Sequence, residues 1–276
     1  MTIGAALQQG AQLLEQGAIA APRLTAEVLL AYALGRGREY LYAHPEEELS
    51  EVAWIHFGRY LHERLQGKPA QYITRRQEFY GRPFKVTPAV LIPRPETEHV
   101  IEAVLELSPL PATGLDIGCG SGAIAVTLQL ETGARYWATD ISTAALAVAA
   151  ENARSLGASV QLVACDVASA IAAGSVELVV SNPPYVPLNE KETLQREVRD
   201  YEPHLALFCG PGGLDLYQKI IRDAERVLMP HGWLIVELGF KTSEAVRAML
   251  GRRWSDVCIR PDLAGIPRVL AARLRS

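Results

Sequence analysis

Residues 115–122, Leu115-Asp116-Ile117-Gly118-Cys119-Gly120-Ser121-Gly122, set an acidic residue ahead of three glycines, between a predicted strand and a predicted helix. Glycines at such a junction let the backbone turn sharply and approach a ligand with no Cβ in the way. The spacing is GxGxG, not the GxGxxG of dinucleotide sites. Asp140 closes the next predicted strand, where a carboxylate can accept both hydroxyls of a ribose. Asp166 closes the third strand in the same way and is placed to face an adenine amino group or ring edge. Singly, each aspartate could be a helix cap. Three at the ends of successive strands point to a nucleoside. Asp116 would repel a pyrophosphate, so a cationic or zwitterionic nucleoside such as S-adenosylmethionine fits better.

A second cluster follows the fourth predicted strand: Val179-Val180-Ser181-Asn182-Pro183-Pro184-Tyr185. The two prolines fix φ and remove two N–H donors, which leaves the carbonyls of Asn182 and Pro183 to accept from outside. With the Asn182 side-chain oxygen they form a compact set of acceptors beside an aromatic ring, suited to a planar conjugated –NH2 group. Such a nitrogen is a poor nucleophile because its lone pair is delocalised. As it is methylated it gains positive charge, and acceptors aimed at its hydrogens stabilise the transition state more than the ground state. Holding it in line with the methyl carbon does the rest, and no side-chain base with a tuned pKa is needed.

The chain must supply a scaffold for these clusters. Its 276 residues imply about two domains. At 49% apolar and 21% charged it resembles chains that bury a sizeable core, and 22 glycines with 17 prolines are too few for a collagenous or low-complexity chain. Apolar residues recur at helical spacing through 2–66. Pro22 is placed to start one helix and Gly35 to stop it, and a long helix over about 50–66 ends at Gly67. Residues 1–75 are therefore expected to form a small helical domain. Residues 76–98 are expected to be a connector carrying a hairpin around Phe79–Phe84. Residues 99–276 alternate strands (113–118, 135–140, 160–165, 176–181, 232–238, 255–260, 267–274) with helices (122–131, 142–156, 215–229, 242–250). This predicts an α/β fold: a seven-stranded, mostly parallel Rossmann-like sheet ending in an antiparallel hairpin.

The net charge of −4 provides no basic field over the whole surface. The four cysteines form no CxxC pair, and the six histidines show no metal spacing, so neither a disulfide framework nor a metal site is expected. The N-terminal run has Gln and Glu where a secretory leader needs a basic start and an apolar core. No apolar stretch reaches spanning length, and a cytoplasmic, membrane-free location is the expectation.

Together, the glycine loop and Asn182-Pro183-Pro184-Tyr185 resemble a class I S-adenosylmethionine-dependent methyltransferase. Residues 67–73 (Gly-Lys-Pro-Ala-Gln-Tyr-Ile), 79–81 (Phe-Tyr-Gly) and 92–98 (Ile-Pro-Arg-Pro-Glu-Thr-Glu), with Tyr201-Glu202-Pro203, Gly212-Gly213-Leu214-Asp215, Asp262-Leu263-Ala264-Gly265 and Arg268, closely resemble the protein-(glutamine-N5) methyltransferases that modify peptide chain release factors, the HemK/PrmC family. The resemblance spans the whole chain. It implies methylation of the glutamine in the Gly-Gly-Gln motif of release factors 1 and 2, with S-adenosyl-L-homocysteine as product and the helical domain as a release-factor dock. It implies a cofactor set of Asp116, Ile117, Gly118, Cys119, Gly120, Ser121, Asp140, Asp166, Val167 and Asn182. Asn182, Pro183 and Tyr185 would be catalytic. Pro184, Arg94 and Glu96 would join them against the substrate, and the Pro93–Thr97 loop would close over the methyl donor. Val167 stands where many members carry an aromatic residue, making the adenine contact aliphatic.

Other readings share parts of this pattern. A DNA adenine-N6 methyltransferase would flip a base into the same acceptors, but the acidic balance and the short 186–213 segment weigh against a DNA-reading module, so DNA is not an expected partner. A nicotinamide-dependent oxidoreductase conflicts with the GxGxG spacing. A catalytically dead binding protein would have no need of Asn182 and Asp140. The arginines and lysine at 75, 76, 82, 85 and 94 could meet an acidic partner or RNA, or form a solvated face.

Overall fold

The computed structural model describes every residue except Pro211. Its contacts fall into two units: residues 1–76 with 195–201, and residues 77–194 with 202–276.

The first unit is helical: α1 (Ile3–Gln16), α2 (Pro22–Leu34), α3 (Arg38–Ala43), α4 (Glu51–Leu65) and α5 (Ala70–Thr74). Thr2 and Ser50 cap α1 and α4 by accepting from the N–H groups of Ala5 and Ala53. Pro22 opens α2, and Gly35, in the left-handed region, closes it. One stripe of each helix is buried, joining Ile3, Leu7, Leu14, Leu29, Leu30, Phe57 and Leu61 in one core. The short α3 and α5 have no counterpart among the predicted elements. Each spans five or six residues, less than two turns, too short to show a helical repeat.

The second unit is the α/β fold. A hairpin, β1 (Arg76–Phe79) and β2 (Arg82–Lys85), turns through Tyr80 and Gly81, both with positive φ. It is followed by α6 (Glu98–Leu105), β3 (Thr113–Ile117), α7 (Ala123–Thr132), β4 (Arg135–Asp140), α8 (Thr143–Leu156), β5 (Val160–Ala164) and β6 (Val176–Ser181). After α9 (Arg196–Tyr201), which belongs to the first unit, come α10 (Asp215–Val227), β7 (Leu228–Glu237), α11 (Ser243–Met249), β8 (Trp254–Pro261) and β9 (Pro267–Leu274). The seven-stranded sheet has the order β5-β4-β3-β6-β7-β9-β8. β9 runs antiparallel to both β7 and β8, and the remaining pairs are parallel. The expected α/β class, strand count and terminal hairpin are all present. β7 starts at Leu228, earlier than predicted, because the β6–β7 register shifts between Val176 and Leu178 and lets the strand extend backwards.

Strand side chains alternate between two covered faces. Leu115, Ile117, Val179, Leu234 and Val236 pack with Tyr217, Ile220, Ile221 and Ala224 of α10. Leu178, Val180 and Ile235 pack on the other side with Val100, Ile101 and Val104 of α6. Phe79 and Phe84 of the hairpin join this second layer with their rings edge to face. Asn152 of α8 clips the hairpin down, accepting from the Lys85 N–H at 2.7 Å and donating to the carbonyls of Lys85 and Ser121. Burial of two phenylalanines explains why the hairpin from residue 77 onward belongs to the sheet-bearing unit and not to a separate connector. α9, in turn, groups with the helical unit, where Glu197 pairs with the buried Arg64 at 2.5 Å and the Tyr201 hydroxyl donates to the Gln66 carbonyl.

Candidate functional site

In a parallel sheet the strands' C-terminal ends share one edge, and ligands gather there at the point where strand order reverses. That reversal lies between β3 and β6, which are neighbours in space. The two sequence clusters leave the sheet at these two strands.

The glycine loop is lashed sideways to the next strand. Gly118 and Cys119 both donate to the Thr139 carbonyl, at 2.8 and 2.9 Å. One oxygen of Asp140 accepts from Gly120 N–H at 2.9 Å and the other from Ser142 N–H at 2.8 Å. Thr139 hands the restraint on, donating to the Val167 carbonyl at 2.7 Å. Val167 sits at φ 51°, a left-handed conformation costly for a β-branched residue and sustained here by its neighbours. Gly118 and Gly120 have positive φ, and a Cβ on either would meet nothing within 4 Å. The loop thus borders open space, a cradle shaped for a ligand that approaches the backbone closely.

Asp116 lies behind this loop. It points to the α7 face of β3 and is 0% exposed, with one carboxylate oxygen accepting from Ala125 N–H at 3.1 Å. Gly122, the helix's N-cap, has no side chain to cap α7, so the carboxylate from the strand serves one of its orphan N–H groups. The other oxygen, Oδ1, has no hydrogen-bond partner among the described residues. Burial pushes the Asp116 carboxyl up to about 7, partly offset by the Ala125 bond and reinforced by Asp140. Burial also lifts the Cys119 thiol well above the ordinary thiol range, in keeping with an unreactive loop cysteine.

A cavity of about 370 Å³ follows the loop, within the range of small-molecule sites. Ile117, Gly118, Cys119, Gly120, Ser121, Asp140, Asp166, Val167, Asn182 and Pro184 all line it. Asp116, Pro183, Tyr185, Arg94 and Glu96, also expected at the site, do not. Asp116 is a step behind the wall. Arg94 is ion-paired with the buried Glu202, which also accepts from Ile92 N–H, so this pair ties down the loop that precedes Thr97. The Tyr185 ring packs over Gly239, where a Cβ would come within 2.7 Å of it, and burial raises its phenol well above the ordinary value. Arg82 and Lys85 are paired with Glu131 and Glu151, which neutralises much of the basic hairpin.

The structure adds residues that the motifs leave out. Ile141 and Leu205 are exposed apolar side chains in the cavity wall. Ile141 directly follows Asp140, and an apolar residue at an exposed strand end was a readable signal. Thr97 ends the Pro93–Thr97 loop already expected at the site, whereas Glu237 belongs to none of the motifs. The Thr97 hydroxyl donates to Glu237 at 2.6 Å and accepts from the Asn182 amide nitrogen at 3.0 Å, bringing together residues far apart in sequence. Burial pushes Glu237 up to about 7, against the lowering effect of the Thr97 bond and Arg268.

Residues 99–205 match the methyltransferase small domain model. The fold resembles the crystal structure of a methyltransferase from Pyrococcus furiosus, at a TM-score of 0.55 and 16% identity, covering 72% of this chain and 91% of that one. Sheet order, glycine loop and strand-end carboxylates thus define an α/β methyltransferase. Residues 5–74 match the PrmC N-terminal domain model. The chain is 44% identical over 277 residues to the release factor glutamine methyltransferase of Koribacter versatilis (strain Ellin345), covering 99% of both chains. It is also 44% identical over 282 residues to that of Moorella thermoacetica (strain ATCC 39073 / JCM 9320), covering 100% of this chain and 99% of the relative. The chain belongs to the release factor glutamine methyltransferase family.

The two buried carboxylates have a measurable consequence. Asp116 and Glu237 carry folded values near 7, above their ordinary 3.8 and 4.5, so the folded chain holds extra protons between about pH 4 and 7. Their contribution to stability therefore falls as pH rises through that window and levels off above it. In urea unfolding of the ligand-free chain, Asp116→Asn is expected to reduce the stability loss between pH 5 and 8, by on the order of 1–3 kcal/mol. An unchanged pH slope would show that Asp116 is ionised throughout.

Proposed function

We propose that this chain transfers a methyl group from S-adenosylmethionine to the side-chain amide nitrogen of the glutamine in the Gly-Gly-Gln motif of peptide chain release factors 1 and 2. The observation that carries the reading is one cavity bordered both by the glycine loop with Asp140 and by Asn182.

The residues present fit the cofactor on two counts. Asp116, buried behind the loop with one oxygen unpartnered, supplies negative potential when ionised, which favours a cationic ligand and disfavours a pyrophosphate. The open space over Gly118 and Gly120 admits a ligand against bare backbone. In this reading Asp140 receives the ribose hydroxyls on the lone pairs left beside its two backbone bonds, and Asp166 with Val167 borders the adenine. Ile117, Cys119, Gly120 and Ser121 border the methionine portion. The cofactor, when bound, supplies an electrophilic methyl carbon on a positively charged sulfur.

Asn182 holds the substrate. Its amide nitrogen is engaged by Thr97, and among the described residues nothing donates to its Oδ1 or to the carbonyls of Asn182 and Pro183. These oxygens are free to take the two hydrogens of a carboxamide nitrogen. Methyl transfer to that nitrogen would place growing positive charge on it. The waiting acceptors would then bind more strongly, and the surplus proton would pass to solvent water once the new bond had formed. Tyr185, packed over Gly239, holds the turn from behind. Pro184 shapes the wall, and Arg94 and Glu96 set the loop that ends in Thr97. The helical unit is assigned the release-factor dock, and the cytoplasm, where translation ends, is the expected compartment. No helix among the described residues is long and apolar enough to cross a membrane, and none of their His, Cys, Asp and Glu side chains cluster as a metal site.

Incubation with labelled cofactor and either purified release factor or unmethylated duplex DNA, followed by mass spectrometry, tests the reading. Label on the Gly-Gly-Gln glutamine is expected, and label on adenine would overturn it. Asn182→Ala is expected to abolish turnover, with cofactor binding still measurable by calorimetry. Asp140→Ala should weaken cofactor binding by about 1–3 kcal/mol through lost charge-assisted hydrogen bonds, and an unchanged dissociation constant would remove the ribose role.

A further inference from the structure

A carboxamide is nearly symmetric in shape, but its two ends have opposite hydrogen-bonding character. The role given to Asn182 requires the oxygen end to face the substrate, so something must make the two orientations unequal.

A chain of three residues makes them unequal. Glu237, the last residue of β7, is 1% exposed, and its Oε2 lies 2.6 Å from Thr97 Oγ1. That length is typical of a hydroxyl donating to a carboxylate. A hydroxyl has one hydrogen, and the ionised Glu237 carboxylate takes it. Toward Asn182, 3.0 Å away, Thr97 therefore has only a lone pair to offer. Only the NH2 end of the carboxamide can meet a lone pair favourably, and the oxygen end is turned the other way. Glu237 is itself anchored. Tyr217, in the core, donates to its backbone carbonyl at 2.8 Å and accepts from Gly239 N–H at 3.1 Å. The Tyr185 hydroxyl and Arg268 also face its carboxylate.

We propose that Glu237, acting through Thr97, is a positioning residue that orients the Asn182 carboxamide so that its oxygen, and not its NH2, meets the substrate nitrogen. The proposal rests on the reading that Asn182 accepts from the substrate amide. With no acceptor at position 237, the Thr97 hydrogen is released, can donate to the Asn182 oxygen, and turns the NH2 end into the cavity. A donor then faces a donor, and the transition state loses an oriented acceptor.

The test compares variants that remove the acceptor with variants that keep it. Glu237→Met and Thr97→Val remove a link with little change in volume, whereas Glu237→Gln and Thr97→Ser retain one. Single-turnover methylation of release factor at saturating substrate is expected to slow about 10- to 100-fold in Glu237→Met and Thr97→Val. Calorimetric cofactor affinity should change by less than about threefold in Glu237→Met, since Glu237 does not line the cavity. Glu237→Gln and Thr97→Ser should recover most of the rate. Independently of turnover, the side-chain amide resonances of Asn182 in [15N]asparagine-labelled, cofactor-free protein should move in Glu237→Met and stay in place in Glu237→Gln. Wild-type rate with unmoved resonances in Glu237→Met would overturn the proposal. So would equal loss in Met and Gln variants with the Asn182 resonances in place, because charge alone would then be responsible. If the wild-type protein labels no release factor, the substrate reading fails, while the resonances still decide the orientation of Asn182.

Discussion

The site depends on the hydrogen bond from Gly120 N–H to Asp140, which joins the glycine loop of one strand to the carboxylate ending the next. At the C-terminal edge of a parallel sheet the ladder stops, and the departing loops must satisfy their backbone groups some other way. Here hydroxyls and carboxylates of adjacent strand ends do so. Thr139 receives two loop N–H groups on its carbonyl and donates its hydroxyl to Val167. Ser181, at the end of β6, donates to the Ile117 carbonyl at 2.7 Å. Four strand ends are thereby held as one rim along the cavity.

This rim includes groups that cost stability. Asp116 and Glu237 are carboxylates placed where burial disfavours their ionised forms, and Val167 adopts a conformation a β-branched side chain ordinarily avoids. Of the three, only Val167 also packs into the core. All three sit on or just behind the cavity wall, where unsatisfied potential and fixed geometry serve a ligand. Hydrophobic burial on both sheet faces offsets that cost. The α10 layer alone seals Tyr217, Ile220, Ile221 and Ala224 against the strands.

The two carboxylates act in different ways. Asp116 is wholly buried behind the glycine loop with one oxygen unpartnered, so in the proposed reading it acts on the ligand space through its potential. Glu237 acts on a side chain, through one hydroxyl, so its effect is directional. In the proposed reading, the same kind of side chain serves recognition on one side of the cavity and orientation on the other. The difference lies in which hydrogen each oxygen receives.

The chain's local pattern determined most of the scaffold. Runs such as Val176–Ser181 and Arg135–Asp140 announce buried strands by composition, and the glycines at 118, 120 and 122 mark the turn, because both signals arise among neighbours in sequence. Local pattern also located the cavity-lining loop and Asn182. It could not show α3 and α5, which are too short to display a period, nor that Phe79 and Phe84 bury the hairpin into the sheet unit. It placed Tyr185 and Asp116 at the site without revealing that both stand behind its wall. The link from Asn182 through Thr97 to Glu237 was out of reach altogether, since 85 and 140 residues separate its partners and no spacing rule spans such distances. A hydrogen bond depends on proximity and angle in space, and only the folded sheet, with β6 beside β7, brings those groups within three ångströms of each other.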